Sequence, residues 1–286
     1  MSFTVHPVTR AIGAEITGCD LSAPLDAETS ADLKAALAQH QVVFFRNQDL
    51  SIEALRQLTT RFGTLMRLPY VSPMEEHPDV IRVLKEANEG GGVFGGDWHQ
   101  DFSFLAQPPA GSLLAAVEVP ACGGDTLWVS QSAAWEALPA PLQDILRGRD
   151  AIHVGKPYGV RWAPPQAEQS GASIKMSRGD PAADQEQHHP AVIRNPATGR
   201  EALFLNPLYV LRLDGLTEDQ SRPILSAVQA HTTRPEFQCR WRWQVGDVAI
   251  WDNLFTQHYA LNDYFGFRRE MWRTTFAGAA PRSLAV

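Results

Sequence analysis

His99 and Asp101, inside Trp98-His99-Gln100-Asp101, place an imidazole and a carboxylate two positions apart. On a strand, side chains alternate between faces, so His99 and Asp101 would point one way and Trp98 and Gln100 the other. Such a pair supplies two members of the 2-His-1-carboxylate set that holds non-haem Fe(II) with open positions. The same spacing also arises without function. A buried histidine beside a structural aspartate is the commoner outcome, and the motif alone does not separate the two.

His258 is a candidate third ligand because of two arginines downstream of it. Arg269 and Arg273 come 11 and 15 positions later, four apart, so on one strand they share a face with Met271. Two guanidiniums projected inward are costly to bury unless anions meet them. Spacing alone leaves a solvated face equally open. Fe(II) held by two imidazoles and a carboxylate keeps three adjacent positions free. A 2-oxo acid chelates two and leaves one for O2. A distal carboxylate on the chelator needs a cation further out, and an anionic substrate needs a second. Two arginines close after the third ligand match that demand.

A chain of 286 residues, 44% hydrophobic and 20% charged, can bury a sizeable core as one domain. The net charge of −7 argues against nucleic acid as a partner. Cys19, Cys122 and Cys239 are widely scattered with no paired spacing, as expected of thiols in a reducing compartment. No apolar stretch reads as a signal peptide or a membrane span, so the cytoplasm is the expected location.

The elements that must carry these residues read as mainly β with flanking helices. Phe3 to Ile16 is an early strand pair, and Asp26 to His40 is a helix with Leu33, Ala36 and Leu37 on one face. Val42 to Phe45 is a fully apolar strand, and Ser51 to Phe62 a second helix stopped at Gly63. Strands follow at Val80 to Leu84, around His99 and on into Phe102-Ser103-Phe104, then at Ser112 to Val119 and Asp125 to Ser130. Ser132 to Leu146 is helical with proline interruptions. Ala191 to Arg194 and Ala202 to Asn206 form a hairpin, and Thr217 to Gln220 is a capping box whose helix Pro223 delays. Arg240 to Trp243, Val248 to Trp251, Gln257 to Tyr259 and Phe267 to Phe276 complete the strands. Segment 156–189, irregular and proline-rich, reads as a lid inserted over the site, the alternative being a surface insertion. Many short strands between Gly and Pro turns suggest a jelly-roll double sheet.

In combination these stretches resemble the Fe(II)- and 2-oxoglutarate-dependent dioxygenases of the taurine dioxygenase (TauD/TfdA) superfamily. The matching runs are Trp98 to Asp101, Pro108 to Gly111, Gly123 to Trp128, Phe237 to Trp243, Trp251 to Asn253, Gln257 to Ala260 and Arg268 to Thr274. They span about residues 5–278, nearly the whole chain. The resemblance implies a cupin-like double-stranded β-helix. It implies His99, Asp101 and His258 as iron ligands, Thr126 and Arg269 as the holders of the distal carboxylate of 2-oxoglutarate, and Arg273 as the anchor of the substrate's anion. On its own Thr126 reads as an ordinary strand residue. The implied chemistry decarboxylates 2-oxoglutarate to succinate and CO2 with O2 and hydroxylates a substrate C–H. Dimers or tetramers are common among such proteins.

The sequence departs from the taurine-specific pattern. After Arg61-Phe62-Gly63, Leu68 stands where a sulfonate-binding histidine would be, and Gly95 and Gly96 replace polar residues before the Trp-His-x-Asp motif. Lys85 to Glu89, Gly96 to His99, Ser173 to Lys175 and Trp251 to Leu254 are similar to the aryloxyalkanoate dioxygenases of the superfamily. The expected substrate is therefore a small organic anion, first an aryloxyalkanoate-like carboxylate, with sulfonates and alkyl sulfates behind it. The contrasting class is a non-catalytic metal-binding jelly roll that senses a small acid, since the same ligands accept Zn(II).

Overall fold

The computed structural model describes residues 3–162 and 172–283. In chain order the elements are β1 (Thr4–Pro7), β2 (Ala14–Thr17), α1 (Ala27–His40), β3 (Val42–Phe45), α2 (Ile52–Thr60) and β4 (Val80–Lys85). Next come β5 (Gly111–Glu118), β6 (Thr126–Ser130), α3 (Gln131–Glu136), α4 (Ala140–Leu146), β7 (Asp150–His153) and β8 (Gln187–Pro190). The chain continues through β9 (Val192–Arg194), β10 (Glu201–Leu203), β11 (Val210–Leu213) and α5 (Glu218–Thr232). It ends with β12 (Gln238–Trp241), β13 (Val248–Asp252), β14 (Thr256–Ala260) and β15 (Arg269–Phe276).

Seven strands form one sheet in the order β1-β2-β3-β13-β5-β15-β4, and β12-β6-β14 form a second. Strands buried on both faces explain the apolar runs without polar alternation. In β3, Val42 and Phe44 face the core between the sheets, while Val43 and Phe45 face α1 and α2. The inter-sheet core also takes Val83, Leu114, Trp128, Trp241, Trp251 and Met271. Phe44 stacks on Trp241 across it, with ring centroids 4.1 Å apart. Leu33, Leu37, Leu55 and Leu58 close the outer face of the large sheet. The result is the expected jelly roll, mainly β with flanking helices.

Three local expectations change. Residues 98–104 are not a strand: His99 makes a single bridge to His258, and the chain then turns through 101–104. Phe102 has φ +47°, which no extended strand allows. Pro223 lies inside α5 and does not delay it, because the Thr217–Gln220 capping box fixes the start at Glu218. Segment 156–189 is not wholly irregular: Pro181–Asp184 is a 3-10 turn, and β8 pairs with β7 beside β11. Residues 163–171 of that segment lie outside the described residues.

Candidate metal centre and its surround

Two distant stretches meet at His99 and His258. Each backbone N–H donates to the other's carbonyl, at 3.2 and 2.9 Å, and the ring centroids are 4.1 Å apart. Asp101 joins them from the turn: Oδ1 is 3.4 Å from His99 Nε2, and Oδ2 is 3.8 Å from His258 Nε2. One donor atom from each residue falls within 4.8 Å of the others, and all three residues are buried. The expected facing of His99 and Asp101 is therefore observed, although a bridge followed by a turn produces it.

The protonation pattern suits a cation. His99 Nδ1 lies 2.6 Å from the Asp97 carbonyl oxygen. That contact makes Nδ1 the N–H nitrogen and leaves Nε2 its lone pair, as a metal ligand requires. Burial first, then the neighbouring His99, keeps His258 neutral by holding its pKa well below the ordinary value. Burial opposes the charge on Asp101, but the Arg273 guanidinium beside it outweighs burial and holds the carboxyl well below the usual range. Gly95, at φ +79°, sits against the His99 ring: a Cβ there would lie 3.2 Å from Cε1. Gly95 thus keeps this side of the imidazole clear.

Arg269, Met271 and Arg273 point to the inter-sheet side of β15, as strand alternation requires. A small cavity of about 40 Å³ is lined by His99, His258, Thr126, Arg269 and Arg273, with Trp128 and Trp251. The sequence-predicted residues are therefore together, with Asp101 beside the two histidines. Arg269 is only 4% exposed, and its Nε and Nη2 have no hydrogen-bond partner. Burial is the main influence on its pKa, which it lowers. A guanidinium so placed is an anion site by its chemistry. Gly124, at φ +68°, lets the chain pass close to Arg269: a Cβ would come within 3.1 Å of Cδ. Thr126 accepts from Trp243 Nε1 at 3.0 Å, which leaves its hydroxyl proton free to meet an anion.

Arg273 is placed differently. One Nη2 binds both Asp101 Oδ2 and, at 2.9 Å, Ser112 Oγ, while Nε has no partner. It steadies the carboxylate and keeps one donor in reserve. Sequence reasoning missed Asn253. Its Oδ1 accepts the Asp101 N–H at 2.7 Å, and its Nδ2 donates to the Asp101 and Pro109 carbonyls, each at 2.9 Å. No local pattern connects positions 152 apart; the polar break after Trp251 and the matching Trp251 to Asn253 run marked the place without giving the role. Also missed was an aromatic wall of Tyr70, Phe102, Phe104, Tyr158 and Tyr209, with Leu68 in the same core cluster.

A double sheet on which two histidines and a carboxylate converge beside a buried arginine with unpartnered donors places the chain in the jelly-roll class, with a candidate metal site between its sheets. Residues 4–275 match the family model "Taurine catabolism dioxygenase TauD, TfdA family". An alpha-ketoglutarate-dependent sulfate ester dioxygenase of Pseudomonas putida is 37% identical, covering 98% of this chain and 91% of its own. An alkylsulfatase of Acinetobacter baylyi is 35% identical over 96% of this chain and 84% of its own. A taurine dioxygenase structure from Burkholderia xenovorans superposes with a TM-score of 0.82 at 32% identity, covering 99% of this chain and 94% of that one. The chain belongs to the TauD/TfdA family. It is a 2-oxoglutarate-dependent dioxygenase, which sets aside the non-catalytic sensor. Among the described residues no helix is long and apolar enough to cross a membrane.

Proposed function

We propose that the protein hydroxylates the carbon bearing the ester oxygen of an alkyl sulfate, using Fe(II) held by His99, Asp101 and His258. The buried arginine with two unpartnered donors, in the cavity of the two histidines, carries this reading. A site for Zn(II) alone has no need of it. With Fe(II), 2-oxoglutarate and O2 bound, the centre supplies oxidative decarboxylation and C–H hydroxylation.

The chain's own residues do the rest. Arg269 and Thr126 fix the distal carboxylate of 2-oxoglutarate, so its oxo-acid end is aimed at the metal. Arg273 holds Asp101 charged and offers its free Nε to the sulfate. Leu68 and the aromatic wall take the alkyl chain and exclude water. A carbon carrying both hydroxyl and sulfate collapses to a carbonyl compound and inorganic sulfate. The described part of segment 156–189 serves as a lid: Ser72 N–H donates to the Lys175 carbonyl at 2.9 Å, and Ser177 N–H to that of Tyr70 at 2.8 Å.

Two relatives matched over nearly the whole chain are a sulfate ester dioxygenase and an alkylsulfatase, which favours sulfate over the aryloxyalkanoate carboxylate that the sequence put first. A neutral leucine at position 68 agrees with an apolar tail beside the anion. The test is a panel of alkyl sulfates, sulfonates and phenoxy acids, scored by succinate above the uncoupled background and by sulfate released. Alkyl sulfates should give the largest excess, and His99→Ala or Asp101→Ala should abolish it. A phenoxy acid turned over faster would reverse the substrate choice. Full turnover by either variant would remove the metal assignment.

A further inference from the structure

The turn that delivers Asp101 holds a conformation its next residue disfavours. Phe102 lies at φ +47°, in the left-handed region that costs a non-glycine residue roughly 1–2 kcal/mol. Side chains must hold it there. Asn253 clamps the Asp101 side of the turn. The other side is tied by three residues, His153, Ser103 and Asn206, each no more than 3% exposed. Ser103 Oγ accepts from Asn206 Nδ2 at 2.9 Å and lies 2.9 Å from His153 Nδ1. Asn206 is fixed in turn, because its Oδ1 accepts the Tyr209 N–H at 2.9 Å. Its amide nitrogen can only donate, so Ser103 Oγ accepts there, and the imidazole tautomer sets the direction of the Ser103–His153 bond. The His153 ring stacks on Phe204 with centroids 5.3 Å apart. Close by, His189 Nε2 meets the Leu105 carbonyl oxygen at 2.9 Å. None of these residues lines the cavity that holds Arg269 and the two candidate ligand histidines.

We propose that His153 is a positioning residue for the metal centre: with Ser103 and Asn206 it locks the 101–104 turn and so sets the Asp101 carboxylate against the imidazoles of 99 and 258. This rests on the proposed role of Asp101 as a metal ligand. A turn carrying unrelieved strain would relax without the trio, and the carboxylate would swing with it. Were the imidazole there for packing alone, no hydrogen bond would be needed and a phenyl ring would fill the place equally well.

The experiment measures Co(II) affinity and the Co(II) ligand-field spectrum of the purified chain, with thermal midpoints and the ratio of product to succinate. His153→Phe keeps the ring and the stack but loses the hydrogen-bonding nitrogen. His153→Asn sets Oδ1 in place of Nδ1. Ser103→Ala removes the hydroxyl with little change of volume. His153→Phe and Ser103→Ala should each weaken Co(II) by roughly 10-fold, the size of outer-partner effects on metal sites. Both should change the spectrum and lower product per succinate. His153→Asn should recover most of the affinity. The double variant should be no worse than Ser103→Ala, since either change breaks the same bond. Wild-type affinity and spectrum in Ser103→Ala, additive losses in the double variant, or a His153→Asn as impaired as the phenylalanine would each overturn the proposal. Should His153→Phe not fold, Ser103→Ala and His153→Asn decide it. Asp101→Asn is the control: if it too binds Co(II) as the wild type does, the ligand assignment fails, and not merely the role of His153.

Discussion

A guanidinium buried with two donors unpaired is a poor way to stabilise a fold, and Arg269 is therefore read through its ligand. Arg273 makes the contrast. It is equally buried, yet Asp101 and Ser112 satisfy part of its fork, so it does structural work before any substrate arrives. The two arginines should separate on substitution. Arg269→Met removes an uncompensated charge and keeps the volume, so stability should hold or rise by about 1–2 kcal/mol. 2-Oxoglutarate should bind roughly 100-fold more weakly, as when one partner of a buried charge pair is lost. Titrating 2-oxoglutarate anaerobically into the Fe(II) protein and following its visible band, with a thermal scan alongside, measures both. A lowered midpoint with unchanged affinity would make Arg269 a structural residue. At this scale the sequence showed residue types well. His99, Asp101 and the two arginines stood out by chemistry and spacing. Asn253, Ser103 and His153 did not, because their partners lie far along the chain and amides and hydroxyls are common.

At the scale of elements, periodicity carried the reading wherever strands are long. Arg269, Met271 and Arg273 share a face because β15 is regular over its length, and α1 and α2 were visible in their apolar spacing. It misled at 98–104, where one bridge and a left-handed residue imitate alternation for a few positions. Pro223 misled in the other direction, since a capping box tolerates a proline in the following turn. The outer side of β15 is held by charge. Glu270 accepts from Arg82 on β4 through both oxygens, at 2.7 and 2.8 Å, and from the neighbouring Arg268. Burial opposes its ionisation, but these hydrogen bonds bring its pKa down to about 2. A depressed carboxyl contributes stability in full above the unfolded value, near 4.5, and loses it as pH falls toward 2. Glu270→Gln should therefore cost roughly 1 kcal/mol at neutral pH, allowing for the half-exposed Arg82. The gap from wild type should close on acidification through that window. Urea unfolding at several pH values checks it, and a gap independent of pH would show that the pair does not hold β15 to β4.

Among the described residues the seven-stranded sheet and β12-β6-β14 enclose an aromatic core, and β11-β7-β8 and β10-β9 form two smaller sheets. Helices α1 and α2 close the back of the larger sheet, and the ligand-bearing turn lies at its front. The apolar strands and the Gly and Pro turns made that architecture legible. The long segment after β7 reads as a lid from its irregularity and prolines alone, and what it covers was not legible. Its described part runs along the 70–72 backbone, and Ser173 N–H donates to Glu89 at 3.1 Å, joining the two loops that flank the site. Ala172, Ile174 and Met176 line a cavity of about 490 Å³ that also reaches Phe94 and Arg269. In the proposed lid role, the described stretch 172–177, held to 70–72 by the Ser72–Lys175 and Ser177–Tyr70 backbone bonds, opens at little cost, and occupants of the cavity should hold it shut. Amide exchange over 172–177 should slow by roughly 10-fold when Mn(II), 2-oxoglutarate and an alkyl sulfate are added together without O2, a stabilisation of about 1.4 kcal/mol. Exchange in α1, on the far face of the large sheet, should not change. Equal slowing in both places would mean general tightening of the fold, and no slowing at 172–177 would make the segment a surface insertion with no part in closing the site.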